Sequence, residues 1–241
     1  MLISIIVPAF NEERLLGESL GAIRAALGSF SDRGWKTELI VCDNNSTDST
    51  PQIAKAAGAR IVFEPVNQIG RARNRGAEAA AGDWLVFVDA DSRPSAELFS
   101  AVANEISTGC YLAGGSTVRL DEDHTKAKWV VSLWNLLSRN CTLLAGSFIF
   151  CQATAFRAVG GFSEELFAGE ELELSQKLKR LARKQGKRIV ILHQNPLVTS
   201  ARKIHLYRAR DHLWFFIRAV IARRKMLSSR EACFTWYDGR R

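Results

Sequence analysis

Residues Trp84-Leu85-Val86-Phe87-Val88-Asp89-Ala90-Asp91 decide how the chain is read: five apolar side chains, then two carboxylates one residue apart. A short, uninterrupted apolar run of this kind is a strand covered on both faces, as in a parallel sheet. Ending it on two aspartates costs desolvation energy unless a cation or a set of hydrogen-bond donors compensates. Oxygen ligands on a short rigid loop suit magnesium or manganese, which take one or two protein carboxylates and complete their shell with water and substrate phosphates. An isolated pair of this spacing can equally cap the next helix, so the other strand ends carry the decision.

Upstream of that strand, residues 3–8, 37–42 and 60–63 read as further strands, and residues 12–27, 48–57 and 71–80 as helices between them. Strands alternating with helices predict βαβ units and the α/β class, with a mainly parallel central sheet flanked by helices. Downstream the alternation loosens. Strands are expected over 111–120, 147–151 and 188–192, and helices over 125–137 (bearing Trp129 and Trp134), 170–184 and 204–225. No repeat or low-complexity linker interrupts the chain. We expect one domain over 1–203, with a first half to about 115 and a second from 116, followed by a cationic helix and tail over 204–241.

The 241 residues are 47% hydrophobic and 24% charged, which excludes collagen-like and wholly disordered chains. No apolar stretch approaches the roughly 20 residues of a membrane-spanning helix, and the first residues do not form a signal peptide. Five scattered cysteines, none in C-x-x-C, indicate neither a disulfide framework nor a thiolate zinc site, so a cytoplasmic location is expected. Charge is divided unevenly. Residues 1–175 hold 15 basic against 22 acidic side chains, and residues 176–241 hold 18 against 3. The resulting net charge of +8 suggests nucleic acid as a partner, yet it is confined to the tail with no recognition motif, so none is expected.

In an open parallel sheet, ligands bind beyond the carboxyl ends of the strands. There the chain places Pro8-Ala9-Phe10-Asn11-Glu12, then Asp43 with Asn44-Asn45-Ser46-Thr47-Asp48, then Asp89-Ala90-Asp91. A shared polar site explains three acidic strand ends most simply. Asp43 is placed to accept hydrogen bonds from a base or ribose, while Thr47 or Asp48 caps the next helix. The helix start with Gly70, Arg71 and Arg73 offers a helix N-terminus and guanidinium groups, both of which favour phosphate.

These pieces, with Gly70-x-Ala72-Arg73-Asn74-x-Gly76, Gly82-Asp83, Gly160-Gly161-Phe162 and Gly169-Glu170-Glu171-Leu172-Glu173-Leu174, stand in order over residues 3–200. The pattern resembles that of family 2 glycosyltransferases. The resemblance implies a GT-A fold, a nucleotide-diphosphate sugar donor, a divalent metal and inversion at the anomeric centre. It implies that Asp43 contacts the base, that Pro8 to Glu12 line the nucleotide, that Asp91 ligates manganese or magnesium, and that Asp89 assists on the ribose or sugar side. The acidic pair Glu170 and Glu171 would supply the general base. Here the sequence departs from the family, whose usual catalytic aspartate is replaced by Glu171, and the choice between the two glutamates stays open. Asn44 and Asn45 replace a common aspartate and glycine. The Q-x-x-R-W sequence of processive synthases is absent.

Arg202, after the last strand, is a candidate to meet the diphosphate, and His193 a candidate metal ligand or a plain surface histidine. The rivals are a sugar-phosphate nucleotidyltransferase, which needs a glycine-rich basic loop where residues 8–13 are acidic, and a noncatalytic nucleotide-sugar-binding protein. The tail over 205–225 combines Leu206, Leu213, Trp214, Phe215, Phe216 and Ile217 with six basic residues. It either packs on the domain or lies on an anionic membrane. The second case favours a lipid-linked acceptor over a polysaccharide one.

Overall fold

The computed structural model describes residues 1–122 and 125–202; residues 123–124 and 203–241, including the helix expected over 204–225, lie outside the described residues. The elements run β1 (Leu2–Ala9), α1 (Leu16–Ala26), α2 (Gly28–Ser31), β2 (Lys36–Asp43), α3 (Thr50–Ala56), β3 (Arg60–Phe63), α4 (Ile69–Ala79), β4 (Trp84–Val88) and β5 (Ser92–Arg93). They continue with α5 (Ala96–Thr108), β6 (Tyr111–Leu120), α6 (Thr125–Cys141), β7 (Phe148–Gln152), α7 (Ala153–Ala158), α8 (Glu170–Lys184) and β8 (Arg188–Thr199).

Eight strands form one sheet in the order β3-β2-β1-β4-β7-β6-β8-β5. The first four in that order are all parallel. Beyond them β7 runs antiparallel to both β4 and β6, β8 is parallel to β6, and β5 is antiparallel to β8. The sheet is therefore mixed, with its parallel half holding the three acidic strand ends. One apolar layer joins α1 and α5 to one face through Leu20, Ile23, Phe99 and Val102. Another joins α7 and α8 to the opposite face through Phe156, Leu174 and Leu178.

The sequence reading passes over 92–110, where the structure has β5 and α5. The signals for α5 are present: Ser95 accepts a hydrogen bond from the Leu98 amide at 3.2 Å as N-cap, and Gly109 closes the helix at φ 67°. Leu98, Phe99, Val102, Ala103 and Ile106 face the core between them. Strand β8 is also longer than expected. His193-Gln194-Asn195-Pro196 interrupts its apolar pattern, yet the strand passes through a bulge where the pairing jumps from Ser116–Leu192 to Val118–Leu197. This carries Thr199 to the carboxyl end of the sheet, where it pairs with Ser92.

Gly76 shows why α4 can lie so close to the sheet. A Cβ there would overlap the Ile6 Cγ2 methyl and come within 3.8 Å of the Cys42 Cβ. Gly76→Ala is expected to destabilise the fold by about 1–3 kcal/mol through overpacking, read as a lowered midpoint in urea with an unchanged slope. An unchanged midpoint would mean that α4 has room to move.

Candidate active site

Register brings the acidic strand ends level. Ala9 pairs with Asp43, Asp43 with Phe63, and Ile6 with Phe87, so the loops after β1, β2 and β4 leave the sheet side by side. The first two loops are stapled together. Asn11 and Asn45 hold left-handed backbone at φ 52° and 67°, which asparagine tolerates better than most residues. The Asn11 amide donates to Ser46 Oγ at 3.0 Å, and Asn11 Oδ1 accepts from the Thr47 amide at 2.8 Å. Asp43 is buried and accepts from the Ser46 amide at 3.1 Å. Asn44 reaches across to β3's exit, donating to the Glu64 and Val66 carbonyls and accepting from the Gln68 amide. The N-cap of α3 is Ser49 rather than Thr47 or Asp48, and it makes no side-chain cap bond; Asp48, one residue earlier, accepts from the amides of Thr50 and Glu13. Burial raises its pKa, but these donors and the Thr50 hydroxyl outweigh that and hold it below the ordinary value.

The centre of the site is Arg73, only 2% exposed. Its Nη1 donates to Glu170 Oε1 at 2.8 Å; its Nη2 donates to Asp89 Oδ1 at 2.9 Å and to the Gly146 carbonyl at 2.8 Å. The guanidinium also lies 5.2 Å from the centre of the Phe162 ring. Burial works to lower its pKa, and Asp89, Glu170 and Glu171 overcome this and raise it. One cation thus ties the end of β4 to the head of α8.

Helix α8 starts from Gly169, whose φ of 76° turns the chain so that Glu170 points inward and Glu171 stays at the surface of the site. Glu170 is buried on Arg73. Glu171 is half-buried, enclosed by protein around its carboxyl, and a Cβ on Gly146 would lie 3.6 Å from its Cδ. Desolvation first, then the neighbouring Glu170 charge, push the Glu171 pKa up from 4.5 to about 8, with Arg73 opposing. Ser175 holds this turn to residues 142–147, accepting from the Leu144 amide and donating to the Glu171 carbonyl. Gly146 and Ser175 were not singled out from sequence. The small pair Gly146-Ser147 ahead of β7 is the only signal they leave.

Asp91 sits at the other side, its Oδ1 near the hydroxyls of Ser92 (3.4 Å) and Thr199 (3.5 Å). Arg202 Nη2 donates to both Glu12 carboxylate oxygens at 3.0 and 2.9 Å and lies 4.0 Å from Asp91 Oδ2. Its Nε and Nη1 are buried and take no hydrogen-bond partner among the described residues. Pro8, Ala9 and Ala90 are buried beneath this edge, with Phe10 and Asn11 half-buried above it.

Several expectations are corrected. Gly70, Arg71 and Arg73 do not form a phosphate site, because the N-terminus of α4 is covered. Gln68 there is buried and donates to the Glu164 and Leu166 carbonyls. A Cβ on Gly70 would meet the Ser163 carbonyl at 3.1 Å. Arg71 turns to Gln68 and pairs with Glu164 at 2.9 Å, and Arg73 is the counter-ion of the carboxylates. His193 is exposed on β8 just after Leu192, which pairs with Ser116, whereas Thr199 beside Asp91 pairs with Leu120, roughly 10 Å farther along the sheet, so His193 is no ligand of a metal at Asp91. The remaining predicted residues gather as expected at the sheet edge.

The sequence model for glycosyl transferase family 2 matches residues 4–160. The chain belongs to that family. Among its relatives, a glycosyltransferase of Mycobacterium tuberculosis is 31% identical over 142 residues, covering 57% of this chain and 61% of that one. The undecaprenyl-phosphate 4-deoxy-4-formamido-L-arabinose transferase of Pseudomonas fluorescens is 29% identical over 164 residues, covering 64% of this chain and 47% of that one. The match thus spans about half to three-fifths of these relatives' lengths. Among solved structures, the mannosyltransferase of Pyrobaculum calidifontis, in complex with GDP-Man and Mn2+, superposes with a TM-score of 0.69 at 19% identity. That superposition covers 96% of this chain and 64% of the other. The fold of this family 2 member is GT-A.

The raised Glu171 pKa has a sign that can be measured. Between about pH 4.5 and 8 the folded protein keeps a proton that the unfolded chain has lost, so Glu171 makes stability fall as pH rises through that window. In Glu171→Gln this fall should be shallower, giving a variant more stable than the wild type near pH 8 in thermal melts. Parallel stability-against-pH curves for the two proteins would place the Glu171 pKa at its ordinary value.

Proposed function

We propose that this family 2 member is a non-processive glycosyltransferase that moves a glycosyl group from a nucleotide-diphosphate sugar to an acceptor hydroxyl, with inversion. The observation that carries the reading is the division of labour within one acidic pair. Glu170 is neutralised by Arg73, while Glu171 is solvent-accessible and its pKa is raised to about 8. A raised carboxylate is a stronger base than an ordinary one, and a general base works best with a pKa near the operating pH. The acceptor oxygen attacks the anomeric carbon and its proton passes to Glu171. The bond to the diphosphate breaks on the opposite face, and the diphosphate leaves with the electron pair.

Asp43 with the loop from Pro8 to Glu12 binds the nucleoside. The unpartnered Nε and Nη1 of Arg202 are donors suited to the diphosphate. The metal reading rests on the donor set. Among the described residues, Asp91 offers hard oxygens met by two long hydroxyl contacts and by Arg202 at 4.0 Å, and Asp89 contributes to the same edge with Oδ1 on Arg73. No group of three or more His, Cys, Asp or Glu is gathered among the described residues. One or two carboxylates completed by phosphate oxygens is the mode magnesium and manganese use. Held by Asp91 with Asp89, the ion would supply a Lewis acid to the departing diphosphate. Support also comes from the mannosyltransferase of the same fold, bound to GDP-Man and Mn2+. The acidic, glycine-free loop after β1 disfavours the nucleotidyltransferase reading, and the tuned Glu171 disfavours a noncatalytic one. We read the acceptor as a lipid-linked or polysaccharide hydroxyl met at the cytoplasmic side of a membrane. No helix of the described residues is long and apolar enough to cross one.

Asp91→Ala should abolish the manganese-dependent rise in melting temperature given by nucleoside diphosphates while the ligand-free protein melts as before. Equal stabilisation with and without manganese, in wild type and variant alike, would remove the metal from the reading. Glu171→Gln should keep donor affinity while transfer falls by about 10² to 10⁴, and wild-type kcat/KM should climb with pH toward about 8. Near-normal turnover in Glu171→Gln with collapse in Glu170→Gln would shift the role by one residue. Magnetic resonance of the first product should show an inverted anomeric centre.

A further inference from the structure

Helix α6 turns its apolar stripe to solvent. Trp129 is 77% exposed, and Val130, Leu133, Leu136 and Leu137 are between 45% and 60% exposed. At about 100° per residue these five side chains share an arc of about 120°, the width of a face that would ordinarily meet a core. The opposite face fixes the helix by hydrogen bonds. Asn135 accepts from the Val118 amide at 3.0 Å and donates to the Val118 carbonyl at 2.9 Å. Ser138 Oγ donates to the Leu143 carbonyl at 2.6 Å. The outward orientation of the stripe is therefore set by specific polar contacts with β6 and with the turn that follows α6.

The flank of the stripe is cationic. Lys128 and Arg139 are both exposed and fall within about 20° of each other around the helix axis, on the side between the apolar arc and the packed face. An apolar arc with an outward tryptophan and a basic flank is the pattern of a helix that lies in the plane of a membrane interface. A second copy of the chain fits poorly. Five residues along about 12 Å of helix are far fewer than the roughly 20–30 residues a side of a stable dimer, and the partners would each carry +8. The basic flank of the helix itself, Lys128 and Arg139, favours an anionic surface.

We propose that α6 docks on an anionic lipid surface, with Trp129, Leu133 and Leu136 entering the boundary between headgroups and acyl chains and Lys128 and Arg139 meeting lipid phosphates. The placement bears on the reaction, and this part rests on the transferase reading. The chain leaving α6 leads within five residues to Gly146, whose carbonyl receives Arg73 beside Glu171. A docked α6 thus holds the base side of the site close to the lipid, where an acceptor on a lipid carrier would be presented.

The test is co-sedimentation of the full chain with vesicles of phosphatidylcholine and phosphatidylglycerol, compared with phosphatidylcholine alone, for the wild type and the double variant Leu133→Glu/Leu136→Glu. The wild type should bind the anionic vesicles, bind the neutral ones weakly, and release as salt is raised. The double variant should lose more than about tenfold in partitioning, since burying each leucine is worth about 1.5–3 kcal/mol. Its melting temperature and its stabilisation by nucleoside diphosphate should stay at wild-type values, because both positions are exposed. Wild-type partitioning of the double variant, or no vesicle binding by the wild type, would overturn the proposal. A concentration-dependent dimer dissolved by the same substitutions would overturn it too, giving the stripe to a second copy. Failure of the wild type to bind any nucleotide sugar would count against the transferase reading alone.

Discussion

The site depends on a single buried cation. Arg73 stands on α4, away from the strand ends it serves, and its two terminal nitrogens hold Asp89 on one side and Glu170 on the other. Taking a guanidinium out of water is costly, and the cost is offset only when carboxylates and carbonyls satisfy it. Removing one partner of such a pair typically costs about 3–5 kcal/mol, because the other charge stays buried and unmatched. The constraint reaches outward. Gly70 and Gly76 let α4 lie close enough to present the arginine, Phe162 covers its face, and Gly146 is small enough to let its carbonyl in.

The same interaction separates the two glutamates at the head of α8. Glu170 uses the arginine and is spent on holding α8 to β4. Glu171, next in sequence, feels the negative charge of its neighbour in a poorly solvated position and keeps its proton to about pH 8. A glutamate where the family commonly has aspartate is one methylene longer, and the half-buried position of Glu171 shows that this length is accommodated. The two identical side chains differ because their surroundings are unequal.

Much of the fold was legible because its signals are local. β3, β4, β6 and α8 begin and end where apolar runs and acidic first turns say they should. The helix start at Arg71 to Gly76 was visible as a motif but not as a role, since nothing local tells a buried arginine from one facing phosphate. That distinction comes from residues 162–170, which arrive nearly a hundred positions later to cover it. The far end of β8 was hidden for a related reason. A proline and three polar residues look like a stop, and only the pairing with β6 carries the strand over them. Asn45 was read as a departure from a glycine, and its left-handed backbone explains why asparagine can stand there.

The contact between Arg202 and Glu12 joins residues 190 positions apart. During synthesis the N-terminal, parallel half emerges first and contains Glu12, Asp43, Asp89 and Asp91, but the residue that neutralises Glu12 is still far from being made. Nascent chains in that interval carry Glu12 and Asp91 without Arg202, which lies against both carboxylates in the folded protein. Closure of so long a loop is among the slow steps of assembly. The acidic edge is thus completed by a residue that follows β8, which makes it a report on whether the sheet has formed as far as that strand.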